Sequence, residues 1–270
     1  MTRTGGPTRV VCAAIALALV AGCAIVPITG RRQLSLVSQP ELIGMAAQNY
    51  AEFIAESTVS GDAEARNMVN EVGGRVSLAT SAFMRENGMD YELSQYSWEF
   101  TLIEDDAANA FCMPGGKIVV FTGLLPVSKT KAGLSVVVAH EVAHAIANHG
   151  GERMSQLLLA ELGGMALSKA IEQKPAQTRD LAMLAYGIGS QVAVLLPYSR
   201  QHESEADRIG LILMAKAGYD PREALQFWRR MASQSEGEPP ELLSTHPSHS
   251  TRIDDIRYHL PEAVAIYEGR

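Results

Sequence analysis

The sequence predicts an α+β protein, mainly helical, with residues 38–270 forming a single domain. Three observations carry this. Ala, Leu and Val recur at helical spacing over most of the chain. From Tyr91 the period changes, and between Trp98 and Thr122 strand patterns predict one small sheet. Residues 38–270 contain no internal repeat and no strong linker, and 270 residues that are 47% apolar can bury a substantial core.

Taken in order, Ser38-Gln39-Pro40-Glu41 reads as a capping box with proline in the first turn, opening a helix to about Glu56 with Leu42, Met45, Ala46 and Tyr50 inward. A second amphipathic helix runs from about Asp62 to Met84, with Met68, Val69, Val72 and Val76 on one face. Trp98, Phe100 and Leu102 alternate with Glu99 and Thr101 as in a half-buried strand. Asn109 to Met113 forms a second strand, Pro114-Gly115-Gly116 a turn, and Lys117 to Thr122 a third strand.

The next helix starts near Ser128 or Thr130, buries Leu134, Val137 and Val138, and is expected to end at Gly150-Gly151. Three consecutive valines are poor helix formers, so tertiary burial must hold it. Helices over 154–173 and 178–196 follow, read as a buried or lipid-leaning hairpin; Gly187, Gly189, Ser190 and Gln191 interrupt the second. Pro197 is expected to stop it. Helices over Arg200 to Gly218 and from Asp220-Pro221, the latter with Ala224, Leu225, Trp228 and Met231 inward, lead to a polar loop, Thr245-His246-Pro247 and a last helix through Arg252 and Ile256.

Residues 1–22 are a separate object. Arg3 and Arg9 precede a short apolar run, Val10 to Val20, too short to span a membrane. Val20-Ala21-Gly22-Cys23 resembles a bacterial lipobox: residues 1–22 a lipoprotein signal peptide, Cys23 lipidated, and 23–37 an anchor and tether. Ala24 resembles the sorting position of a lipoprotein bound for the outer membrane, hence an expected place on its periplasmic face. Removing the peptide takes away two arginines and no acid, so the net charge moves from −7 to −9. That balance excludes non-specific nucleic-acid binding, which needs a basic face. Of three cysteines only Cys112 is left unassigned, so neither an internal disulfide nor thiolate ligation of zinc is expected.

The chemistry centres on His140-Glu141-Val142-Ala143-His144. Two histidines four apart share one helical face and can converge on one zinc ion, and Glu141 can act as general base toward the attacking water. Ala147 and Gly150 stand where one peptidase class has a glycine and a third histidine. His149 falls off the ligand face, which makes it a capping or surface residue. In His202-Glu203-Ser204-Glu205-Ala206-Asp207, Glu203 and Asp207 share a face, so Glu203 can bind the ion while Asp207 fixes the tautomer of a ligand histidine. Glu205 points away. The same residues also read as an acidic stretch on a solvated helix, with Arg200 and Arg208 as partners.

Five pieces in order then resemble the zinc metalloendopeptidase family of HtpX and the CAAX prenyl proteases, of gluzincin type, most closely its soluble bacterial lipoprotein branch. They are Thr29 to Leu34, Asn109-Ala110-Phe111 with Pro114-Gly115-Gly116, His140 to His144, Glu203 to Asp207, and His246-Pro247 with Arg252-Ile253. The resemblance implies a small mixed sheet on the metal helix and one zinc ion on His140, His144 and Glu203. It makes Glu141 the general base and Asp207 the carboxylate behind a ligand. The strand Asn109, Ala110, Phe111, Cys112, Met113 becomes the edge on which substrate backbone pairs. Asn109 and His246 match positions facing the oxyanion, with Arg252 nearby; His246 can instead close the fourth zinc position at rest.

The expected function is a lipid-anchored zinc metalloendopeptidase of the bacterial envelope. Its expected partners are misfolded or unassembled proteins, the membrane through Cys23, and envelope assembly machinery. The rival is a chaperone-like assembly factor with little proteolysis, against which an intact Glu141 argues. A serine hydrolase is excluded by the lack of G-x-S-x-G, and lone Cys112 has no adjacent base.

Overall fold

Two helices, Lys131–Ile146 and Leu196–Lys216, pack side by side at the buried centre of the protein. The computed structural model describes residues 23–190, 196–233, 242, 246 and 252–269; the expected signal peptide, residues 191–195, the loop at 234–240 and Pro247 lie outside them. In chain order come β1 (Cys23–Ile25), β2 (Arg32–Leu34), α1 (Gln39–Glu56), α2 (Ala63–Glu86), β3 (Glu99–Ile103), β4 (Ala110–Met113) and β5 (Lys117–Phe121). Then follow α3 (Lys131–Ile146), α4 (His149–Ala170), α5 (Ala176–Ser190), α6 (Leu196–Lys216), α7 (Glu223–Ser233) and α8 (Arg252–Tyr267).

The sheet is mixed, in the order β3-β5-β4, with β3 parallel and β4 antiparallel to β5. In the middle strand Ile118 and Val120 face the main core, while Val119 and Phe121 meet Tyr50 of α1. Both faces are therefore covered, and β5 reads as a continuous apolar run rather than an alternation. The β4–β5 turn needs positive φ at Gly115 (+87°) and Gly116 (+89°), which glycine adopts without strain. This leaves β4 on an edge, against α3.

Caps fall where the sequence puts them. Ser38 and Glu41 bond each other at the head of α1, Asp62 accepts the amides of Glu64 and Ala65 at α2, and the Thr130 hydroxyl accepts the Gly133 amide at α3. Val136, Val137 and Val138 are all buried, the burial their low helix propensity requires. Among residues expected inward, Met45 is exposed and Leu225 is only half-buried, with Phe227 buried in that helix instead.

Four expectations are corrected. First, α3 does not end at Gly150-Gly151: it stops at Ile146, Asn148 turns left-handed (φ 53°), and the two glycines lie in the first turn of α4. A Cβ on Gly151 would lie 2.5 Å from Asn148 Oδ1, so glycine there lets Asn148 fold back over the new helix. Second, Pro197 does not end a helix: it lies within α6, as the described residues give that helix. Third, residues 23–34 are not a loose tether. β1 and β2 form an antiparallel hairpin, Val26 is fully buried in the core, and Arg31 reaches into the domain. Fourth, of the two readings of the α4–α5 hairpin, buried or lipid-leaning, the buried one is excluded: Leu162, Met165, Leu181 and Leu184 are each more than half exposed. Among the described residues no helix is long and apolar enough to cross a membrane.

Candidate metal centre

α3 delivers His140, Glu141 and His144 from two successive turns, and α6 delivers Glu203 and Asp207 from its facing side. The two helices can approach because α6 carries Gly210 against the His140 backbone, where a Cβ would lie 3.1 Å from the amide nitrogen. His246 is tied through Leu242 to the loop between β3 and β4: the Leu242 amide donates to the Ala108 carbonyl at 3.2 Å, and the His246 amide to the Leu242 carbonyl at 2.9 Å.

His140, His144, Glu203 and His246 each offer one ligand atom, and these atoms all lie within 4.8 Å of one another. His140 Nε2 is 3.1 Å from His144 Nε2, 3.3 Å from Glu203 Oε2 and 3.4 Å from His246 Nδ1. Glu203 Oε1 is 3.4 Å from His144 Nε2 and 3.0 Å from His246 Nδ1. A tetrahedral zinc ion with donors at roughly 2.0–2.1 Å spaces them by about 3.3 Å, so the donor set fits zinc in both chemistry and spacing. Glu141, nearly fully buried, sits beside this set with Oε1 accepting no hydrogen bond from the described residues and His246 Nε2 3.4 Å away.

Charge follows from burial and neighbours. Burial raises the Glu141 carboxyl above its ordinary range, opposed by His246 and His140 and by a backbone bond from Cys112. Glu203 is also disfavoured by burial, but His144, His140 and His246 outweigh it and hold the carboxylate well below its ordinary value. Burial pushes His144 well down. His140 is pushed down by burial too, yet Asp207 and Glu203 outweigh it and carry it up to about 9.

Asp207 lies behind the ligands: its Oδ1 is 3.0 Å from His140 Nδ1 and accepts from Arg252 Nη2 at 2.7 Å. Arg252, expected beside the oxyanion, is instead 2% exposed and stands behind the ligand shell, its guanidinium 3.5 Å over the Trp228 ring and 3.5 Å from Glu203 Oε2. Burial of a cation there requires the two acids and the aromatic face. Asn109 is buried at the head of β4, where its Oδ1 accepts the Ala110 amide and its carbonyl accepts the Phe121 amide.

Two residues set aside on sequence are buried in the site's surroundings. His149, expected as a capping or surface residue, opens α4 but is 3% exposed and meets His144, Nδ1 to Nδ1, at 2.9 Å. Glu205 does point away from the ligand cluster, yet it is buried and bonded to His149 and Arg31. A straight helix would carry His149 off the ligand face; the break at Asn148 brings it back. Arg31 had a signal, since it lies in Thr29 to Leu34; Trp228 was legible only as an inward residue of its helix, and Gly210 had no signal.

The family model for peptidase family M48 matches residues 74–260, over half of the chain. The chain belongs to that family. The domain is accordingly of the zinc metallopeptidase type, and the α+β gluzincin fold expected from its motifs is the one described above. The mitochondrial metalloendopeptidase OMA1 of Schizosaccharomyces pombe is 36% identical over 243 residues, covering 88% of this chain and 66% of its own. The human metalloendopeptidase OMA1 is 32% identical over 252 residues, covering 90% of this chain and 47% of its own. The beta-barrel assembly-enhancing protease of Yersinia pestis is 29% identical over 169 residues, 59% of this chain and 34% of its own. The chain thus spans between about half and two thirds of the length of the first curated relatives it matches.

Proposed function

We propose that this M48 protein is a lipid-anchored zinc metalloendopeptidase that hydrolyses peptide bonds of misfolded or unassembled proteins of a bacterial envelope. One observation carries the reading: a buried general base, Glu141, stands beside a four-donor metal cluster and takes a backbone bond from Cys112 of β4, an edge strand of the sheet among the described residues.

His140, His144 and Glu203 hold the zinc, and Asp207 orients His140. Zinc, when bound, supplies Lewis-acid polarisation of the peptide carbonyl and acidifies the attacking water. Glu141 takes a proton from that water and returns it to the leaving amine, and a carboxyl raised by burial suits both tasks. An extended substrate pairs its backbone along Asn109 to Met113, which favours unfolded chains. His246 would complete the donor set of the bound ion, and its imidazole and Asn109 would be the donors toward the oxyanion. Arg252 serves by holding Asp207 and Glu203 rather than by touching substrate.

For the anchor, support comes from the lipobox at Cys23 and from where the chain enters the fold. Cys23 pairs with Leu34, which lines a cavity with Leu159, Ala160 and Tyr186 beside the exposed leucines of α4 and α5. An address on the periplasmic face of the outer membrane and contact with envelope assembly machinery extend the same reading, the latter supported by the name of the Yersinia pestis relative.

The test is digestion of an unfolded protein by zinc-loaded wild type and Glu141→Gln, with mass spectrometry of the N-terminus. Equal digestion by both removes the peptidase reading. An unmodified Cys23 in the mature envelope protein removes the anchor.

A further inference from the structure

The two ligand histidines are not supported alike. His140 has a carboxylate, Asp207, directly on Nδ1. Among the described residues His144 Nδ1 meets no carboxylate; it lies 2.9 Å from Nδ1 of His149, whose Nε2 lies 3.1 Å from Glu205 Oε2. We infer that Arg31 and Glu205, acting through His149, are positioning residues for zinc on His144. The inference rests on the reading that His144 holds the ion.

The proton assignment follows from one requirement. His144 turns Nε2 toward Glu203 and His140. To give that lone pair to a cation, a neutral His144 must carry its proton on Nδ1 and donate it to His149 Nδ1. His149 Nδ1 is then an acceptor, so its own proton sits on Nε2 and goes to Glu205. A carboxylate thus reaches His144 through a second imidazole, as Asp207 reaches His140 directly. In both cases the partner fixes the tautomer and ring angle and raises ligand basicity.

Glu205 is held in turn by the N-terminal hairpin. Arg31 Nε donates to Glu205 Oε2 at 2.9 Å, and the Thr29 hydroxyl donates to Oε1. Arg31 Nη1 and Nη2 fork onto Glu152 at 3.0 and 2.7 Å, a bidentate pair that fixes the guanidinium. Glu152 also accepts from His202 Nε2 at 2.9 Å, and His202 stacks on the His149 ring at 4.4 Å. All four partners are buried: Glu152 and Glu205 are 1% and 6% exposed, His149 and His202 3% and 5%. Behind His144 the Arg31 guanidinium thus faces two carboxylates, Glu152 and Glu205. The hairpin that follows Cys23 is therefore part of the metal site.

The experiment measures zinc affinity of the full purified protein by chelator competition, together with the visible spectrum of the cobalt(II)-substituted form. Wild type should bind one zinc and His144→Ala should lose it; wild type without zinc would overturn the ligand reading itself. Given that stoichiometry, Glu205→Gln, Arg31→Ala and His149→Ala should each weaken zinc by about 10–100-fold and shift the cobalt bands. His149→Asn, whose amide oxygen can stand where Nδ1 accepts, should recover most of the affinity lost in His149→Ala. Arg257→Ala, which removes an exposed ion pair with Asp254, should leave both readouts unchanged. Circular dichroism separates folding from binding. Unchanged affinity and bands in folded Glu205→Gln and His149→Ala overturn the inference. So does a loss in His149→Ala that His149→Asn fails to recover. Should Arg31→Ala not fold, the near-isosteric Glu205→Gln decides alone.

Discussion

Gly210 of α6 packs against the backbone of His140, so closely that a Cβ would fall 3.1 Å from its nitrogen and 3.2 Å from its Cα. Both obstacles are helix backbone and cannot rotate aside. Gly210→Ala should therefore push α6 from α3 by a few tenths of an ångström, at a cost of ~1–3 kcal/mol in stability. Because Glu203 and Asp207 ride on α6, zinc affinity should fall with it. Urea unfolding and zinc titration read both effects, and an unchanged midpoint would show that the contact relaxes freely.

Arg252 is the buried counter-charge of Asp207 and Glu203. Arg252→Ala should destabilise the protein by about 3–5 kcal/mol, since it leaves Asp207 uncompensated in the interior. Arg252→Lys should not restore stability, because an ammonium cannot both fork onto the acids and stack on Trp228. Thermal unfolding of the two variants checks this.

His246 Nδ1 lies among the ligand atoms while Nε2 faces Glu141. His246→Ala should keep stoichiometric zinc at reduced affinity and raise basal cleavage of an unfolded protein, as the site opens to substrate. A fall in turnover with unchanged affinity would mean that the imidazole acts chiefly on the oxyanion.

Chelation should abolish cleavage and lower the melting temperature, because zinc holds α3, α6 and the His246 turn together only in the folded state. Stoichiometric zinc should restore both. Activity that survives dialysis against chelator, with zinc absent by elemental analysis, would contradict the metal assignment.

Glu152 gives a pH dependence. Burial alone would raise its carboxyl, but His202 and Arg31 hold it down to about 2, against an ordinary 4.5. A depressed folded value means stability fully present above 4.5 and lost as pH falls toward 2. In zinc-free protein the stability advantage of wild type over Arg31→Ala should thus be largest above pH 4.5 and shrink toward pH 2. Urea midpoints at several pH values measure it, and a gap that is constant with pH would rule out the ion pair as its source.

Much of the site was legible because its signals are local. Spacing of four puts His140 with His144 and Glu203 with Asp207 on single helical faces, whatever the rest of the chain does. Caps at Ser38, Asp62 and Thr130 and the paired glycines at 115 and 116 mark their elements for the same reason. Errors arose where a local rule has two outcomes: Gly150-Gly151 can close one helix or open the next, and Pro197 can end a helix or begin one.

By itself the sequence determined the metal-binding pair, the general base and the order β3, β4, β5 before the metal helix, since each depends on residues a few positions apart. Only the tertiary structure decided which distant groups share a buried space. It moved Arg252 behind His140, brought His246 onto the ligand atoms, turned His149 back at Asn148 and drew Arg31 into the domain across more than a hundred residues of chain. Those choices depend on a buried charge finding its partner wherever the chain packs, and no periodicity records that.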